Sequence, residues 1–307
     1  MSYEARIERD SITQYGERLT TVVATFPRIV LAEANTHRMF SRSSASSRAI
    51  PVEKQIARLR EDPFYPVYWG KNQKGMQADQ ELTPEEIAYV KGKWIDARDS
   101  AIDHASVLMD RGVHKQITNR LLEPFMWHTV IISSTEWGNF EHLRVNKHAQ
   151  PEFKKSAEMV MDVIHGSIPK LVSPGAWHLP FTDAADAANI EDAQLVQVSA
   201  GRSARVSYMT HDGKRDPKAD VTLAMGLLQN GHMAPWEHPA RPMSDREREI
   251  FGRDEYTMPA NWPGGITDPY MQWKKTGKRT YFLGNFNGWV QARKLIHGEQ
   301  DILAFER

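Results

Sequence analysis

The sequence contains no cysteine among its 307 residues. This absence excludes disulfide bonds, a thiolate nucleophile, zinc ribbons and iron–sulfur clusters held by thiolates. A chain without cysteine suits a reducing compartment, and we expect a cytoplasmic protein.

An excess of charge of either sign is also absent, because 39 Lys and Arg residues balance 39 Asp and Glu residues. A neutral chain has no overall field that would attract nucleic acid or an anionic membrane, so neither is expected as a partner. No window approaches the roughly 18 uninterrupted apolar residues of a membrane span. The first residues, MSYEARIERDS, lack the apolar core of a signal peptide. With 40% apolar and 25% charged residues, the composition is that of a soluble globular protein.

Several catalytic motifs are missing as well. The sequence has no G-x-G-x-x-G, no G-x-x-x-x-G-K-[ST], no H-E-x-x-H and no G-x-S-x-G. The 12 histidines lack close pairs at metal-ligand spacing accompanied by carboxylates, so no metal site is expected. A Rossmann nucleotide site, a P-loop, a zincin site and a hydrolase elbow are therefore not expected.

The most distinctive segment present is NTHRMFSRSSASSR at 35–48. Its arginines supply charge and its five serines supply hydroxyls and accessible backbone N–H groups, which together can cradle a phosphorylated ligand. A flexible Ser-rich loop is the alternative interpretation. The β-branched, apolar segment at 20–31 predicts a buried strand just before it, and ligand loops commonly follow such strands.

Helical signals are clearest after Thr83, where Pro84 and Glu86 complete a capping box and apolar spacing continues to Gly112. An apolar strand is predicted at 125–132, and a second capping box predicts that a helix begins at 133–136. The remaining expectations are helices at 51–59, 148–165, 192–208, 217–230 and 288–296, a linker at 168–181, a loop at 237–269 and a short strand at 281–286.

Three separated segments carry a more specific signal. HRMFSRSSASSR at 37–48 is similar to R-H-R-x-x-S-x-N-x-x-S-x-R-Y, and NFEHLRVNKHAQPEF at 139–153 is similar to N-F-x-x-L-R-x-x-x-H-A-Q-x-E-I. SARVSY at 203–208 and GHMAPWEH at 231–238 are similar to A-A-R-V-S-[FY] and G-H-x-[ST]-P-x-E-H. These are the motifs of the flavin-dependent thymidylate synthases, the ThyX family, which the chain resembles outside the loops at 62–75 and 239–277.

The order of the three segments differs from the usual family order, in which the third precedes the first. The chain therefore resembles a circularly permuted member, and permutation is tolerated where the original termini lie close together at the surface. We expect one ThyX-like domain over 1–307, with the signature and nucleotide blocks in 1–167 and the permuted block in 182–307.

The resemblance implies an α+β subunit with a central sheet flanked by helices, assembled as a homotetramer whose sites are shared between subunits. It implies FAD as the cofactor, with NADPH and methylenetetrahydrofolate as co-substrates. The implied reaction is C5 methylation of dUMP to dTMP, in which flavin supplies the hydride. This reaction needs no cysteine nucleophile, which agrees with the absence of cysteine from the chain.

The resemblance also implies roles for individual residues. Arg144 falls on the arginine that faces uracil and favours its N3-deprotonated form, and it is the expected catalytic residue. The implied substrate-binding residues are Glu33, Ser44, Ser46, Ser47, Arg48, Arg120 and Arg144. The implied cofactor-binding positions are Thr36, His37, Arg38, Ser133, Thr135, Asn139, Ala234 and Glu237.

Some of these positions depart from the family motifs. Thr36 and Thr135 replace arginines, and Glu33 replaces a glutamine. Ser43 and Ser44 replace asparagine and glutamate, Ser133 replaces asparagine, and Ala234 replaces threonine or serine. These changes leave open a dCMP substrate, a 5-hydroxymethyl product, or a nucleotide-binding paralogue without flavin. A nucleic-acid-binding module is the remaining alternative, and the zero net charge argues against it.

Overall fold

The computed structural model describes residues 2–208, 216–251 and 284–296. In this part the chain has a mixed α/β architecture. The strands are β1 (Glu4–Ile12), β2 (Arg18–Pro27), β3 (Ser41–Ser44), β4 (Trp127–Ser134), β5 (Lys170–Leu171), β6 (Ala240–Pro242) and β7 (Trp289–Gln291).

The helices surround these strands. The α-helices are α1 (Leu31–Ala34), α2 (Val52–Glu61), α3 (Pro84–Asp110), α4 (Lys115–Thr118), α5 (Gly138–Arg144), α6 (Pro151–His165), α7 (Ala184–Asn189), α8 (Asp192–Tyr208), α9 (Pro217–Gln229) and α10 (Asp245–Phe251). Short 3-10 helices occupy Arg28–Val30, Ser47–Ala49, Asn119–Phe125, Ala234–Glu237 and Ala292–Leu295. Among the helices described, none is both long and apolar enough to cross a bilayer.

The main sheet has the strand order β3-β4-β2-β1-β5. Its pairs are antiparallel except β1 with β5, which is parallel, so the sheet is mixed. A tight turn joins β1 to β2, where the N–H of Gly16 donates to the carbonyl of Thr13 at 3.0 Å. Gly16 has φ +88°, a left-handed conformation that glycine adopts without strain. A separate two-stranded sheet pairs β6 with β7.

One face of the main sheet carries the largest apolar core. Because side chains alternate along a strand, every second residue of β2 and β4 points to this face. Helix α6 covers it with residues three and four apart, as an amphipathic helix does. The members of this core include Val22, Ala24, Phe26, Val130, Ile132, Phe153, Ala157, Val160, Met161 and Ile164. Truncating a buried phenylalanine here, such as Phe153, would cost about 3–5 kcal/mol.

The opposite face of the sheet has a smaller apolar cluster, in which Val23 and Ile131 pack against Val206 of α8. Hydroxyl side chains occupy the other inward positions on this face, among them Thr21 and Ser133, which are both fully buried. Buried hydroxyls require hydrogen-bond partners. Thr21 and Ser133 find them in each other and in the side chains of His178 and His238.

The capping box at Thr83 is confirmed. The N–H of Glu86 donates to Oγ1 of Thr83 at 3.3 Å, and the N–H of Thr83 donates to Oε2 of Glu86 at 2.8 Å. Helix α3 starts at Pro84 and ends before Gly112, which has φ +76°. The expected strand at 125–132 and the helices at 192–208 and 217–230 are also found, as β4, α8 and α9.

The helix start that the second capping box predicted at 133–136 was wrong. Ser133 and Ser134 remain in β4, paired with Thr21 and Thr20 of β2. Oγ of Ser134 does accept the N–H of Glu136 at 2.9 Å, but α5 begins only at Gly138. Ladder hydrogen bonds to a neighbouring strand outweigh a local capping preference.

The C-terminal expectation was wrong too. The segment 288–296 forms β7 and a 3-10 helix instead of one α-helix, because Trp289 is fully buried and its strand pairs with β6. Residues 284–286 are not in a strand, and 281–283 lie outside the described residues. The loop expected at 237–269 contains β6 and α10, and its part from 252 onward also lies outside the described residues.

Other boundaries shifted by a few residues. Helix α2 starts at Val52 and not at Pro51, and α6 starts at Pro151 instead of 148, with the side chain of Gln150 accepting the N–H of Phe153 at 3.0 Å. The linker at 168–181 contains β5 and a bridge in which the N–H of His178 donates to the carbonyl of Ala240 at 2.7 Å.

Candidate functional site

Arg144, the last residue of α5, is held by the segment that follows β2. Its Nε donates to Nε2 of His37 at 2.9 Å, and its Nη2 donates to Oγ1 of Thr36 at 2.8 Å. Nη2 also lies 3.4 Å from the carbonyl oxygen of Glu33. The guanidinium stands over the ring of Phe153, 5.3 Å from its centre. Its orientation is therefore determined by side chains from two of the three motif segments.

His37 is a neutral acceptor for this arginine. It is buried, stacked on Phe40 at 5.5 Å and edge-on to Phe140 at 5.1 Å. Burial, and then the charges of Arg144 and Arg42, lower the pKa of His37 to about 4. Because a guanidinium only donates, Nε2 of His37 must carry the lone pair and the ring proton must lie on Nδ1.

Arg144 faces an open cleft of about 800 Å³, which we call the Arg144 cleft. The junction between α5 and α6 forms one wall, and a loop before α3 forms another. Its lining residues are Glu33, Tyr68, Gly70, 76–79, 142–144 and 146–152. Much of the second motif segment therefore borders one cavity.

The loop wall of the Arg144 cleft is a hairpin-like turn at 69–82, which only overlaps the loop at 62–75 that the family resemblance leaves out. Backbone bonds from Lys71 to Gln80 (2.7 Å) and from Leu82 to Trp69 (2.9 Å) close the turn. The N–H of Val67 anchors it by donating to Oε1 of Glu152 at 3.0 Å.

Gln77 joins this loop to His148. Its Nε2 donates to the carbonyl of His148 at 3.4 Å, and its Oε1 lies 3.0 Å from Nδ1 of the same histidine. Since an amide oxygen only accepts, Nδ1 of His148 carries a proton.

Two polar groups at the Arg144 cleft have unused hydrogen-bonding capacity. Oε2 of Glu33 is buried and accepts no hydrogen bond within the described residues. Nη1 of Arg144 donates to no group in the same part of the chain, because its three bonds use Nε and Nη2. The cleft thus offers a guanidinium donor, and a buried carboxyl oxygen without a partner in the described residues lies in the same cluster.

A second cleft of about 710 Å³ lies on β3 and the segment after it, and we call it the serine cleft. It combines the first motif segment with the third, which comes almost two hundred positions later in the sequence. Its lining residues are 42–44, 46, 48–49, 114, 116, 227 and 231–235. The expected ligand residues Ser44, Ser46, Arg48 and Ala234 therefore come together.

A chain of buried hydroxyls and imidazoles fastens the third segment to the sheet. His238 lies 2.9 Å from Oγ of Ser43 and 2.8 Å from Oγ of Ser133. Oγ of Ser133 also lies 2.6 Å from Oγ1 of Thr21, and Oγ1 of Thr21 lies 2.8 Å from Nε2 of His178. We call this set the buried polar chain, and its members are Ser43, His238, Ser133, Thr21, His178 and Ser11.

Both histidines of the buried polar chain are neutral. Burial lowers the pKa of His238 to about 3 and lowers the pKa of His178 well below its usual value. A neutral imidazole has one donor and one acceptor nitrogen, which hydroxyl partners on both sides can satisfy. Ser133, an expected cofactor-binding residue, therefore forms its side-chain hydrogen bonds inside the protein core.

Glu237 lies beside this chain but is itself paired. Its carboxyl forms an ion pair with Arg293, and its carbonyl accepts from Nε2 of Gln291 at 2.9 Å. Burial, and then the charge of Arg38, lower the pKa of Arg42, and the negative charge of Glu237 partly opposes this shift. Arg42 is therefore close to both Glu237 and His37.

The remaining expected residues lie outside both clefts. Arg120 is exposed and pairs with Glu123 at 2.7 Å, and Arg38 and Asn139 are exposed. Oγ1 of Thr135 accepts the N–H of Asn287 at 3.0 Å. Ser47 is buried and borders a smaller cavity of about 250 Å³ between the sheet and α2.

Arg144 and Arg48 line different clefts in the described part of this single chain. Arg42 connects the two regions, since it lines the serine cleft and its Nη1 donates to the carbonyl of Ala34, next to Glu33. The structure thus separates the expected nucleotide-binding residues into two groups.

Sequence reasoning missed three side chains that support these groups, namely Gln77, His178 and Gln291. Nε2 of Gln291 donates to Oγ of Ser41 at 2.8 Å, and Gln77 and His178 make the contacts given above. Gln77 lies in an aperiodic loop and His178 in a Pro- and Gly-rich segment, where neighbouring residues carry no signal of long-range contacts.

The sequence matches no protein-family model and no curated protein. Among solved structures, the chain is similar to a UMP/dUMP methylase, PolB, from Streptomyces cacaoi, bound with 5-Br UMP. That comparison gives a TM-score of 0.45 and 13% identity over 54% of this chain and 90% of that chain. The same methylase bound with 5-Br dUMP gives a TM-score of 0.38 and 16% identity over 48% of this chain and 66% of that chain. Likeness at this level describes a partial overlap of folds and assigns no activity.

Proposed function

We propose that this protein is a flavin- and folate-dependent enzyme that methylates C5 of a pyrimidine deoxynucleotide, with dUMP as substrate and dTMP as product. The observation that carries the proposal is the convergence of motif segments that are far apart in the sequence. Arg144 is bonded to His37 across 107 positions, and the serine cleft joins the first segment to the third. Structural packing alone would not require an arginine, an unpaired carboxyl and a neutral histidine at an open cleft.

Arg144 suits the chemistry of a uracil ring. Loss of the N3 proton leaves negative charge spread over the ring, and a guanidinium that stays charged stabilises it. The hydrogen bonds from Arg144 to His37 and Thr36 hold the cation in place before substrate arrives, so little reorganisation is needed.

The serine cleft fits a phosphate-bearing ligand. Arg42 and Arg48 supply positive charge, and Ser44 and Ser46 supply hydroxyl donors. Its volume of about 710 Å³ lies in the range of ligand sites in proteins. This lining supports placing the phosphate groups of the nucleotide and of FAD here, and Ala234 lies on the wall that would hold FAD. FAD would supply the hydride that converts the transferred methylene to a methyl group.

The separation of Arg144 from Arg48 supports the expected homotetramer. In that assembly, the Arg144 cleft of one subunit would complete the serine cleft of another. Methylenetetrahydrofolate and NADPH would enter the shared site as co-substrates.

The test begins with the visible absorption spectrum of the purified protein, which we expect to show bound flavin. Single-turnover reaction of the reduced protein with methylenetetrahydrofolate and either dUMP or dCMP then identifies the base, with products assigned by mass. We expect dTMP from dUMP. A colourless protein that gains no flavin on incubation with FAD would contradict the proposal, as would conversion of dCMP alone. A product heavier than dTMP by one oxygen would indicate a 5-hydroxymethyl pyrimidine instead.

A further inference from the structure

We infer that His114 binds a phosphate group in the serine cleft together with Arg48. Nε2–H of His114 donates to a phosphate oxygen, either of the nucleotide or of FAD. This inference rests on the proposed function, because it names a residue that holds a ligand of that reaction. His114 lies outside the three motif segments, so the family resemblance assigns it no role.

The first step of the argument is the charge of the serine cleft. Its described lining contains the arginines Arg42 and Arg48 and the histidines His114 and His232, but no aspartate or glutamate. Arg48 is exposed, and no group in the described ranges accepts a hydrogen bond from its guanidinium. A cleft with cationic side chains and without carboxylates favours an anionic ligand, and phosphate oxygens accept well from arginine and histidine.

The second step is the proton on His114. The N–H of Gln116 donates to Nδ1 of His114 at 3.3 Å. Nδ1 accepts this bond through its lone pair, so the proton of the neutral ring lies on Nε2. A charged ring carries protons on both nitrogens, so Nε2 is a donor in either state. The ring is exposed at the cleft, and its Nε2 meets no acceptor among the residues that the structure describes.

The third step is the position of His114 relative to Arg48. Nζ of Lys115 donates to the carbonyl oxygen of Ala49 at 3.3 Å. These two residues directly follow His114 and Arg48 in the chain. The bond therefore ties the two donors of the cleft to each other across 66 positions.

The buried side chain of Asn119 strengthens the same connection. Its Nδ2 donates to the carbonyl oxygens of Ser47 at 2.7 Å and Ile50 at 2.9 Å. The segment 47–50 is thereby fastened to the 3-10 helix that follows α4. Both donors thus border one cleft before a ligand arrives, and a preorganised pair loses little freedom on binding.

Equilibrium binding is measured by calorimetry on the full-length protein with dUMP and FAD, and with their phosphate-free counterparts deoxyuridine and riboflavin. The test variant is His114→Asn. Asparagine keeps an acceptor for the N–H of Gln116, since it is a good N-cap residue, but it lacks the Nε2 donor. The matched control is His104→Asn on the exposed side of α3. Thermal melts confirm that both variants are folded.

We expect His114→Asn to weaken binding of dUMP, of FAD or of both by roughly tenfold, because a hydrogen bond to a charged group is lost. Deoxyuridine and riboflavin should bind as they do to the unmodified protein, and His104→Asn should change no affinity. Weaker binding of dUMP alone assigns the contact to the nucleotide phosphate. Weaker binding of FAD alone assigns it to the diphosphate of the cofactor.

Unchanged binding of dUMP and FAD by His114→Asn would overturn the inference. An equal loss for the phosphate-free compounds would overturn it as well, because the contact would then not be to phosphate. A protein whose dUMP binding depends on His114 but which forms no dTMP would sustain the inference and overturn the proposed reaction. If the unmodified protein binds neither dUMP nor FAD, the inference and the proposed function fail together.

Discussion

The side chains of Ser43 and His238 lie 2.9 Å apart, although 195 positions separate them in the chain. Ser43 belongs to the segment of hydroxyls and arginines after β2, and His238 ends the GHMAPWEH segment. This contact places the third motif segment beside the first. The serine cleft lies between these two segments.

The first prediction concerns pH. His178 and His238 have pKa values lowered by burial, to about 3 for His238, so the folded protein excludes protons that the unfolded chain binds below pH about 6.5. Stability should be fully present above that pH and fall as pH drops towards 5, by about 1.4 kcal/mol per pH unit for each histidine. Urea unfolding midpoints at several pH values measure this. A stability that rises between pH 6.5 and 5 would contradict the buried neutral state of these histidines.

The second prediction concerns the buried polar chain. Ser43→Ala removes the partner of Nε2 of His238 and leaves that buried nitrogen unsatisfied, so we expect a loss of about 1–3 kcal/mol in the free energy of unfolding. Ser44→Ala is the matched control, because Ser44 is half-buried at the serine cleft, and it should change stability by less than about 0.5 kcal/mol. Equal effects of the two substitutions would argue against a structural role for the chain.

The third prediction concerns turnover. Arg144→Ala should leave the fold intact and lower the single-turnover rate by about 10²–10³-fold, because charge on the pyrimidine loses its stabilising cation. Arg60→Ala, on the exposed side of α2, serves as the control for loss of an arginine. An undiminished rate in Arg144→Ala would show that another residue performs this role.

The fourth prediction concerns the loop wall of the Arg144 cleft. Gln77→Ala removes both hydrogen bonds to His148, so backbone amides at 70–80 and at 146–150 should exchange with solvent faster. Gln73→Ala, whose side chain bonds only to Asp79 within the same loop, should have a smaller effect at 146–150. Unchanged exchange in both variants would show that the hydrogen bonds from Gln77 to His148 do not hold the loop.

Local chemistry in the sequence determined the elements whose signals are complete within one segment. Thr83 and Glu86 specify the start of α3 by themselves, and apolar periodicity specifies α8 and α9, because a helix satisfies its own backbone. The motif segments likewise located Arg144 and the serine-rich run without any structure.

Only the tertiary structure decided how distant segments meet. Ser133 stayed in a strand because β2 pairs with it, and 288–296 formed β7 and a 3-10 helix because Trp289 is buried with Leu19 and Ala240. The sequence likewise did not reveal that Gln77 contacts His148, that Glu33 keeps an unpaired oxygen, or that Arg144 and Arg48 line separate clefts. These outcomes depend on which surfaces pack together, and no residue's own propensity encodes the partner that arrives from a hundred positions away.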